Sequence, residues 1–498
     1  MEVIYSAAPL YAVLASLCAI PLIYLSDRKP DLRESWTLIA ASLKFVVILT
    51  MVPHILQGKV IYFKLATFLP GIDLAFRVDA LGLFFALTAS LLWIVTSFYS
   101  IGYVRSLSEQ GQTRFFMCFA GSLSATIGAA FAANLFTLYV FYEALTLITY
   151  PLVAHAQTTE AYRGAKIYLT YLLATSIAFL LPAIIITYFI TGTTDFSAGG
   201  VFGGDLGVNP CVYGMLFALF IAGVAKAGMM PFHSWLPSAM VAPTPVSSLL
   251  HAVAVVKMGV FTVLRIVFYI FGVDLLKDIG AGAVLAVSAS FTIIAASVIA
   301  LRKDNIKAML AYSTVAQLSY IILGAALLTP AAAKASIMHI GIHAFSKISL
   351  FFWAGAVYVA LKKKYISELN GISKLMPIST AVFVVGALSL IGVPMFSGFI
   401  SKFYLLSGAW EAEQYGFMVV LCISSFMNAL YFVPIMYSAY MKSPAEGTEI
   451  KVQEAPAVML VPMCITAFVA VALFFLPGLL SSFADLTVNS IFISAGGQ

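Results

Sequence analysis

The run Lys226–Val246, KAGMMPFHSWLPSAMVAPTPV, sets a lysine and then four prolines (Pro231, Pro237, Pro243, Pro245) between two long apolar stretches. Proline has no amide proton and clashes with the preceding turn, so the spacing predicts that the helix carrying Lys226 breaks just after it, at Pro231. Unwound backbone is tolerated at membrane depth only where protein covers it or it lines a cavity, and a lysine there becomes a protonatable amine within reach of water. The competing reading makes the prolines a loop signal at the end of an ordinary span, with Lys226 snorkelling to the interface.

The chain around this run is built for hydrocarbon. Of 498 residues, 62% are hydrophobic and 10% charged, with a mean hydropathy of +1.01. Apolar runs recur near the roughly 20 residues that cross a bilayer as helix. They predict an all-α polytopic membrane protein of fourteen spans, at 6–26, 35–56, 79–103, 115–131, 134–154, 164–191, 211–232, 244–270, 279–300, 305–327, 335–360, 377–408, 415–440 and 456–480. Residues 1–26 lack a basic leader and a cleavage site, so they read as a retained first span. The net charge of +6 is scattered singly between apolar runs, which argues against nucleic acid as a partner. Five widely spaced cysteines without a CxxC pair argue against zinc, iron–sulfur or disulfide sites in this chain.

Loop charge predicts orientation. The stretch TGTTDFSAGGVFGGDLGVNP carries no Lys or Arg, whereas RKDNIK and LKKKYISELNGISK are basic, so the first belongs outside and the others inside. Alternation then places sixteen basic residues in inside loops against five outside. Both termini fall on the external side of what is expected to be a prokaryotic cytoplasmic membrane.

Six basic residues remain within spans: Lys44, Lys226, Lys257, Arg265, Lys347 and Lys402. Glu143 is the acidic residue deep in a span, in NLFTLYVFYEALTLITYPLV, and Asp79 lies at the mouth of the third. An ionisable group at the bilayer centre costs about 2.5–3.5 kcal/mol, so such groups face protein or water and mark proton or ion pathways by default. Desolvation lowers a lysine pKa and a nearby carboxylate raises it, so a Glu143–Lys226 pair could load and release a proton; a static interhelical pair is the alternative. HAVAVVKMGVF adds His251 and Lys257. MHIGIHAFSKISLFF sets His339, His343 and Lys347 at i, i+4 and i+8, on one helical face. Such a file suits proton relay, although a single buried histidine is as readily a structural hydrogen-bonding group. No carboxylate or cysteine completes a metal site there. Lys44 and Arg265, nearer span ends, read as snorkelling or structural.

A second interruption lies in SLIGVPMFSGFISKFYLL, where Gly392, Pro394 and Gly398 precede Lys402. Two broken helices at corresponding places are the trace of inverted repeats. The expected organisation is a three-helix segment over 1–110, one five-helix repeat over 111–270 (spans four to eight), its inverted partner over 271–442 (spans nine to thirteen), and a last span with a tail over 443–498.

The runs PFHSWLPSAMVAPTPVSSLLHAVAVVKMGVF, KDNIKAMLAYSTVAQLSY and HIGIHAFSKISLFF resemble the antiporter-like subunits shared by respiratory complex I, Mrp-type sodium/proton antiporters and membrane-bound hydrogenases. The resemblance runs from about Asp79 to Lys442. It implies two inverted five-helix repeats, broken helices seven and twelve, and a buried hydrophilic axis parallel to the membrane. It implies an essential glutamate at Glu143 partnered by Lys226, a linking lysine at Lys257, a central relay of His339, His343 and Lys347, and a terminal lysine at Lys402. The size is most similar to D-type Mrp subunits, while PFHSWLP and APTPVSSLLHA are at least as similar to the larger Mrp and hydrogenase-linked members. The expected function is proton translocation, with sodium as a candidate counter-ion, inside a multisubunit membrane assembly. No nucleotide, flavin, quinone or iron–sulfur pattern is present, so no cofactor is expected in this chain, and any redox chemistry belongs to flavin, iron–sulfur or hydrogenase partners. Two other readings stand beside it: a stand-alone secondary transporter of an organic solute, and a purely structural membrane subunit.

Overall fold

In a bilayer every backbone polar group must be satisfied within the protein, and the chain meets this with long helices, several of which start on a capping polar side chain. A computed structural model describes residues 2–202, 209–444 and 451–495, the side chains of 250–252 and 493–495 excepted. Asp79 accepts from Gly82 N at 2.8 Å to open helix Ala80–Ser106, and Asn134 accepts from Thr137 N at 2.7 Å to open Leu135–Val153. Asn305 does the same for Ile306–Ala326, through Ala308 N at 3.0 Å. Each cap satisfies an otherwise orphaned amide.

Among the described residues, ten helices are long and apolar enough to cross a membrane. The other four expected spans are helical but fall short for identifiable reasons. Gln112–Ala130 has the length but is rich in Ser, Thr and Gly. The seventh, eighth and twelfth spans are interrupted. Helix Pro210–Gly223 ends before Lys226, which sits in a 3-10 turn, Ala225–Ala227, closed by Gly228 at φ +70°. The break therefore begins ahead of the lysine, where Pro231 alone predicted it behind. The eighth span opens with one α-helical turn, Thr244–Val246, and passes through a π-helix, Ser247–Ala254, before the α-helix Val255–Arg265. The twelfth is divided into Pro377–Ile391 and Ser397–Glu411 by Gly392 at φ +91° and Met395 at φ +74°.

Two elements were not expected. Strand β1 (Val3–Tyr5) pairs in parallel with β2 (Val60–Leu69), which pairs antiparallel with β3 (Ile72–Val78). Pro70 and Gly71, between two runs of β-branched and aromatic residues, are a hairpin signal that hydropathy alone does not register. In the stretch read as a tail, Gly478–Ala495 forms a helix packed on Ala80–Ser106 and Pro330–Leu361, tied by Lys334 Nζ to Asp485 Oδ1 at 2.6 Å.

The 32-residue helix Pro330–Leu361 runs through the core, against Ile306–Ala326, Pro377–Ile391, Ser397–Glu411 and Ala457–Phe475. Arg265 does not snorkel. Its guanidinium is buried, bidentate on Asp79 (Nη2 to Oδ1 2.8 Å, Nη1 to Oδ2 also bonded), with its carbon 4.6 Å from the centroid of Tyr269. Lys44 is fully buried as well, 4.9 Å from the Trp93 ring centroid. Breaking a buried ion pair leaves an uncompensated charge. Asp79→Ala is accordingly expected to destabilise the fold by about 3–5 kcal/mol, read as a lower thermal midpoint of the detergent-purified protein.

Candidate functional site

The expected site residues divide into two groups, one at each helix break. In the first, Lys226 is fully buried and its amine donates to the Tyr142 carbonyl, while its ammonium lies 3.3 Å from the Tyr142 ring centroid. The Lys226 amide reaches Tyr142 Oη at 3.4 Å, an interaction open to it because the helix has already unwound. Gly259 makes room: a Cβ there would stand 2.1 Å from Ala227 N and 2.2 Å from the Lys226 carbonyl carbon, so only glycine lets the eighth span press against the unwound lysine. Glu143, the next residue after Tyr142, keeps both carboxylate oxygens buried without a hydrogen-bond partner. Lys226 and the Ser176 hydroxyl are the polar groups nearest in effect. Among the described residues no contact ion pair joins Glu143 to Lys226, so the carboxylate and the amine sense each other without being locked together.

The second group lies along helix Pro330–Leu361 and the second break. His343 is fully buried with neither ring nitrogen bonded, its ring centroid 5.9 Å from that of His339. His339 bridges two helices, Nδ1 to Ser401 Oγ at 2.8 Å and Nε2 to Gln317 Oε1 at 3.0 Å. Lys347 donates to Ser313 Oγ at 2.9 Å and the Leu310 carbonyl at 3.4 Å. Lys402 donates to the Leu390 and Ile391 carbonyls, both at 2.8 Å, and to Ser425 Oγ at 3.0 Å. Those carbonyls end helix Pro377–Ile391 and have no amide of their own to accept from. Lys257 is fully buried with an unbonded amine, within electrostatic range of Lys347, His343 and His339. It thus sits beside the file. The side chain of His251 lies outside the described residues.

Sequence reasoning missed the connectors. Ser313 Oγ meets Tyr431 Oη at 2.9 Å, Tyr431 donates to Asn428 Oδ1, and Asn428 Nδ2 reaches the Leu390 carbonyl at 3.4 Å, the oxygen that also accepts from Lys402. A polar thread therefore joins Lys347 to Lys402 parallel to the His339–Ser401 contact. Asp79, a candidate supporting residue at the mouth of the third span, is engaged by Arg265 and the Gly82 amide. Pro231 and Pro394 lie in the two breaks, as expected. Among the described residues no cluster of three or more His, Cys, Asp or Glu could hold a metal ion.

Comparison with known proteins places this geometry. Residues 132–428, more than half the chain, match the family described as NADH:quinone oxidoreductase/Mrp antiporter, TM. The chain belongs to this family. It is 32% identical over 396 residues to NADH-quinone oxidoreductase subunit N of Desulforudis audaxviator, covering 75% of this chain and 76% of that one. It is 30% identical over 444 residues to a Na(+)/H(+) antiporter subunit of Alkalihalophilus pseudofirmus, covering 82% of this chain and 53% of that one. The chain spans about half the length of several such relatives. In fold it is similar to a chain of the membrane-bound sulfane sulfur reductase, an archaeal respiratory membrane complex, with a TM-score of 0.87 at 23% identity and 98% of both chains covered. The antiporter-like subunits and the multi-pass membrane architecture expected from the sequence are thus those of its relatives.

Gly392 holds a left-handed turn, and a Cβ there would stand 2.7 Å from Lys402 Cδ. Gly392→Ala is expected to cost about 1–2 kcal/mol in backbone strain alone and to push the Lys402 amine off its two carbonyls. The checks are the thermal midpoint and the protonation of that amine in isotope-edited spectra.

Proposed function

We propose that the chain is the proton-translocating membrane subunit of a multisubunit assembly of the Mrp or complex I kind. In this reading Glu143 and Lys226 exchange a proton, which passes by Lys257 to the His339, His343 and Lys347 file and on to Lys402. The observation that carries the reading is that the amines of Lys226, Lys347 and Lys402 are buried at membrane depth and held by carbonyl and hydroxyl oxygens, with no carboxylate in contact among the described residues. A dipole-bound amine changes its protonation without first breaking an ion pair, so modest changes in a neighbouring charge can move the proton. The naming of the Alkalihalophilus pseudofirmus relative as part of a Na(+)/H(+) antiporter supports sodium as the exchanged cation. The two breaks support the assignment of residues 111–270 and 271–442 as paired repeats. The basic loops support a prokaryotic cytoplasmic membrane with both termini external. The partners proposed are other hydrophobic subunits, joined in a redox complex by iron–sulfur, flavin or hydrogenase subunits.

Glu143→Ala and Lys226→Ala should each abolish proton transport by the purified complex in sealed vesicles while every subunit still co-purifies. Undiminished transport in either variant sinks the mechanism. Tyr431→Phe removes one hydroxyl from the thread between Lys347 and Lys402. It should slow transport by up to about a hundredfold, the lower end of what one positioned proton-transfer group contributes, with assembly unchanged.

A further inference from the structure

The half-helix Pro377–Ile391 is closed at each end by an ionisable side chain from another part of the chain. Its first residue is a proline, which has no amide to satisfy, and Met376 before it supplies no side-chain cap. Glu454, 76 residues beyond Ile378, takes that place: Oε1 accepts from the Ile378 amide at 2.6 Å and the Ser379 amide at 3.2 Å, and Oε2 from the Ser379 hydroxyl at 2.5 Å. The Thr380 amide reaches the Met376 carbonyl at 3.0 Å. Every amide of the first turn thus has an acceptor. At the other end the carbonyls of Leu388 and Ser389 accept from the Gly392 amide, each at 3.1 Å. Those of Leu390 and Ile391 are left to Lys402, with Asn428 Nδ2 a further donor to Leu390 at 3.4 Å. A carboxylate at the start and an amine at the end is the order that the helix dipole favours.

The seventh span is built otherwise. Its half-helix Pro210–Gly223 opens on the adjacent Asn209, whose side chain accepts from Cys211 N at 2.9 Å, and Lys226 bonds the Tyr142 carbonyl of a different helix. Of the two breaks, the twelfth span alone has a distant carboxylate gripping the element that holds the lysine. The segment that opens its half-helix is tied on a second side. Gln453 N donates to the Leu375 carbonyl at 2.8 Å, while Ser373 Oγ and Gly371 N donate to the Ala439 and Ser438 carbonyls at 2.7 and 2.9 Å. Ser438 and Ala439 lie near the end of helix Tyr415–Met441, which also carries Ser425, the third acceptor for Lys402. The half-helix has 15 residues and no proline past its first turn, a rod about 22 Å long. A displacement along its axis at one end arrives at the other.

We propose that Glu454 is a positioning residue for Lys402: by gripping the start of half-helix Pro377–Ile391 it fixes where the Leu390 and Ile391 carbonyls present themselves to the amine. The inference rests on the proton-translocating reading above and adds to it the group that sets the last member of the relay in place. Glu454 takes no part in proton transfer. It acts through the rod, so what it contributes is the geometry of its hydrogen bonds, and a neutral side chain that makes the same bonds should serve nearly as well.

The test uses the intact complex in sealed vesicles, with isotope-labelled lysine read by solid-state magnetic resonance. The Nζ resonance of Lys402, identified by its absence in Lys402→Met, should move in Glu454→Ala, while that of Lys226, at the other break, stays in place. Proton transport by the same vesicles should fall by up to about a hundredfold, the scale of a reacting group displaced by about 1 Å. Glu454→Gln keeps an oxygen for the two amides and loses the charge, and it should restore the resonance and most of the transport. Ser379→Ala removes one of the three contacts and serves where Glu454→Ala fails to assemble; it should move the same resonance in the same direction. A Lys402 resonance that stays put in both alanine variants, while Lys226→Ala is dead in transport, overturns the positioning role and leaves the proton-translocating reading standing. Glu454→Gln as damaging as Glu454→Ala overturns it too, since charge and not geometry would then be what matters. If the resonance moves as expected but Lys226→Ala transports normally, the grip stands and the underlying reading fails.

Discussion

A helix that stops inside a membrane leaves carbonyl oxygens with no amide to accept from, and the rest of this structure is arranged around satisfying them. Lys402 donates to Leu390 and Ile391, the last carbonyls of the first half of the twelfth span. Lys226 and Lys347 also donate to main-chain oxygens, those of Tyr142 and Leu310. Lys402 thereby completes the hydrogen bonding of an otherwise costly interruption, and all three amines are held by dipoles and not by a carboxylate.

This arrangement separates two kinds of buried charge in one chain. Arg265 and Asp79 are bidentate and buried among aromatic rings, and Asp79 also caps a helix. That pair is fixed. Glu143 keeps its oxygens unbonded one residue along from the carbonyl that holds Lys226. Buried ion pairs are costly to break from either side, so a mobile proton is better served by the second arrangement than by the first.

What the sequence made legible was set by rarity. A lysine or glutamate in an apolar run stands out, which is how Glu143, Lys226, Lys257, Lys347 and Lys402 were found, and histidine spacing brought His339 and His343 onto one face. Serine, tyrosine and asparagine do not stand out, so the Ser313–Tyr431–Asn428 thread and the Ser401 bridge became visible only once four distant helices were packed together. For Arg265 and Lys44 the sequence left snorkelling and a structural role both open, because position along a span says nothing of what covers it. The point at which the seventh span unwinds was misplaced because Pro231 is a local breaker, whereas the helix already ends at Gly223, where Gly259 of another helix leaves room for the unwound turn. The hairpin and the last helix were lost to a reading tuned to spans alone.

Helix Pro330–Leu361, which carries His339, His343 and Lys347, has 32 residues without interruption, and at 1.5 Å per residue it is about 48 Å long. The hydrocarbon layer it crosses is about 30 Å thick. The rod must lean or protrude, and its angle depends on the thickness of the lipid around it as well as on its neighbours. Since His339, His343 and Lys347 ride on that single element, a change in its tilt moves all three together, and acyl-chain length biases that tilt through hydrophobic mismatch.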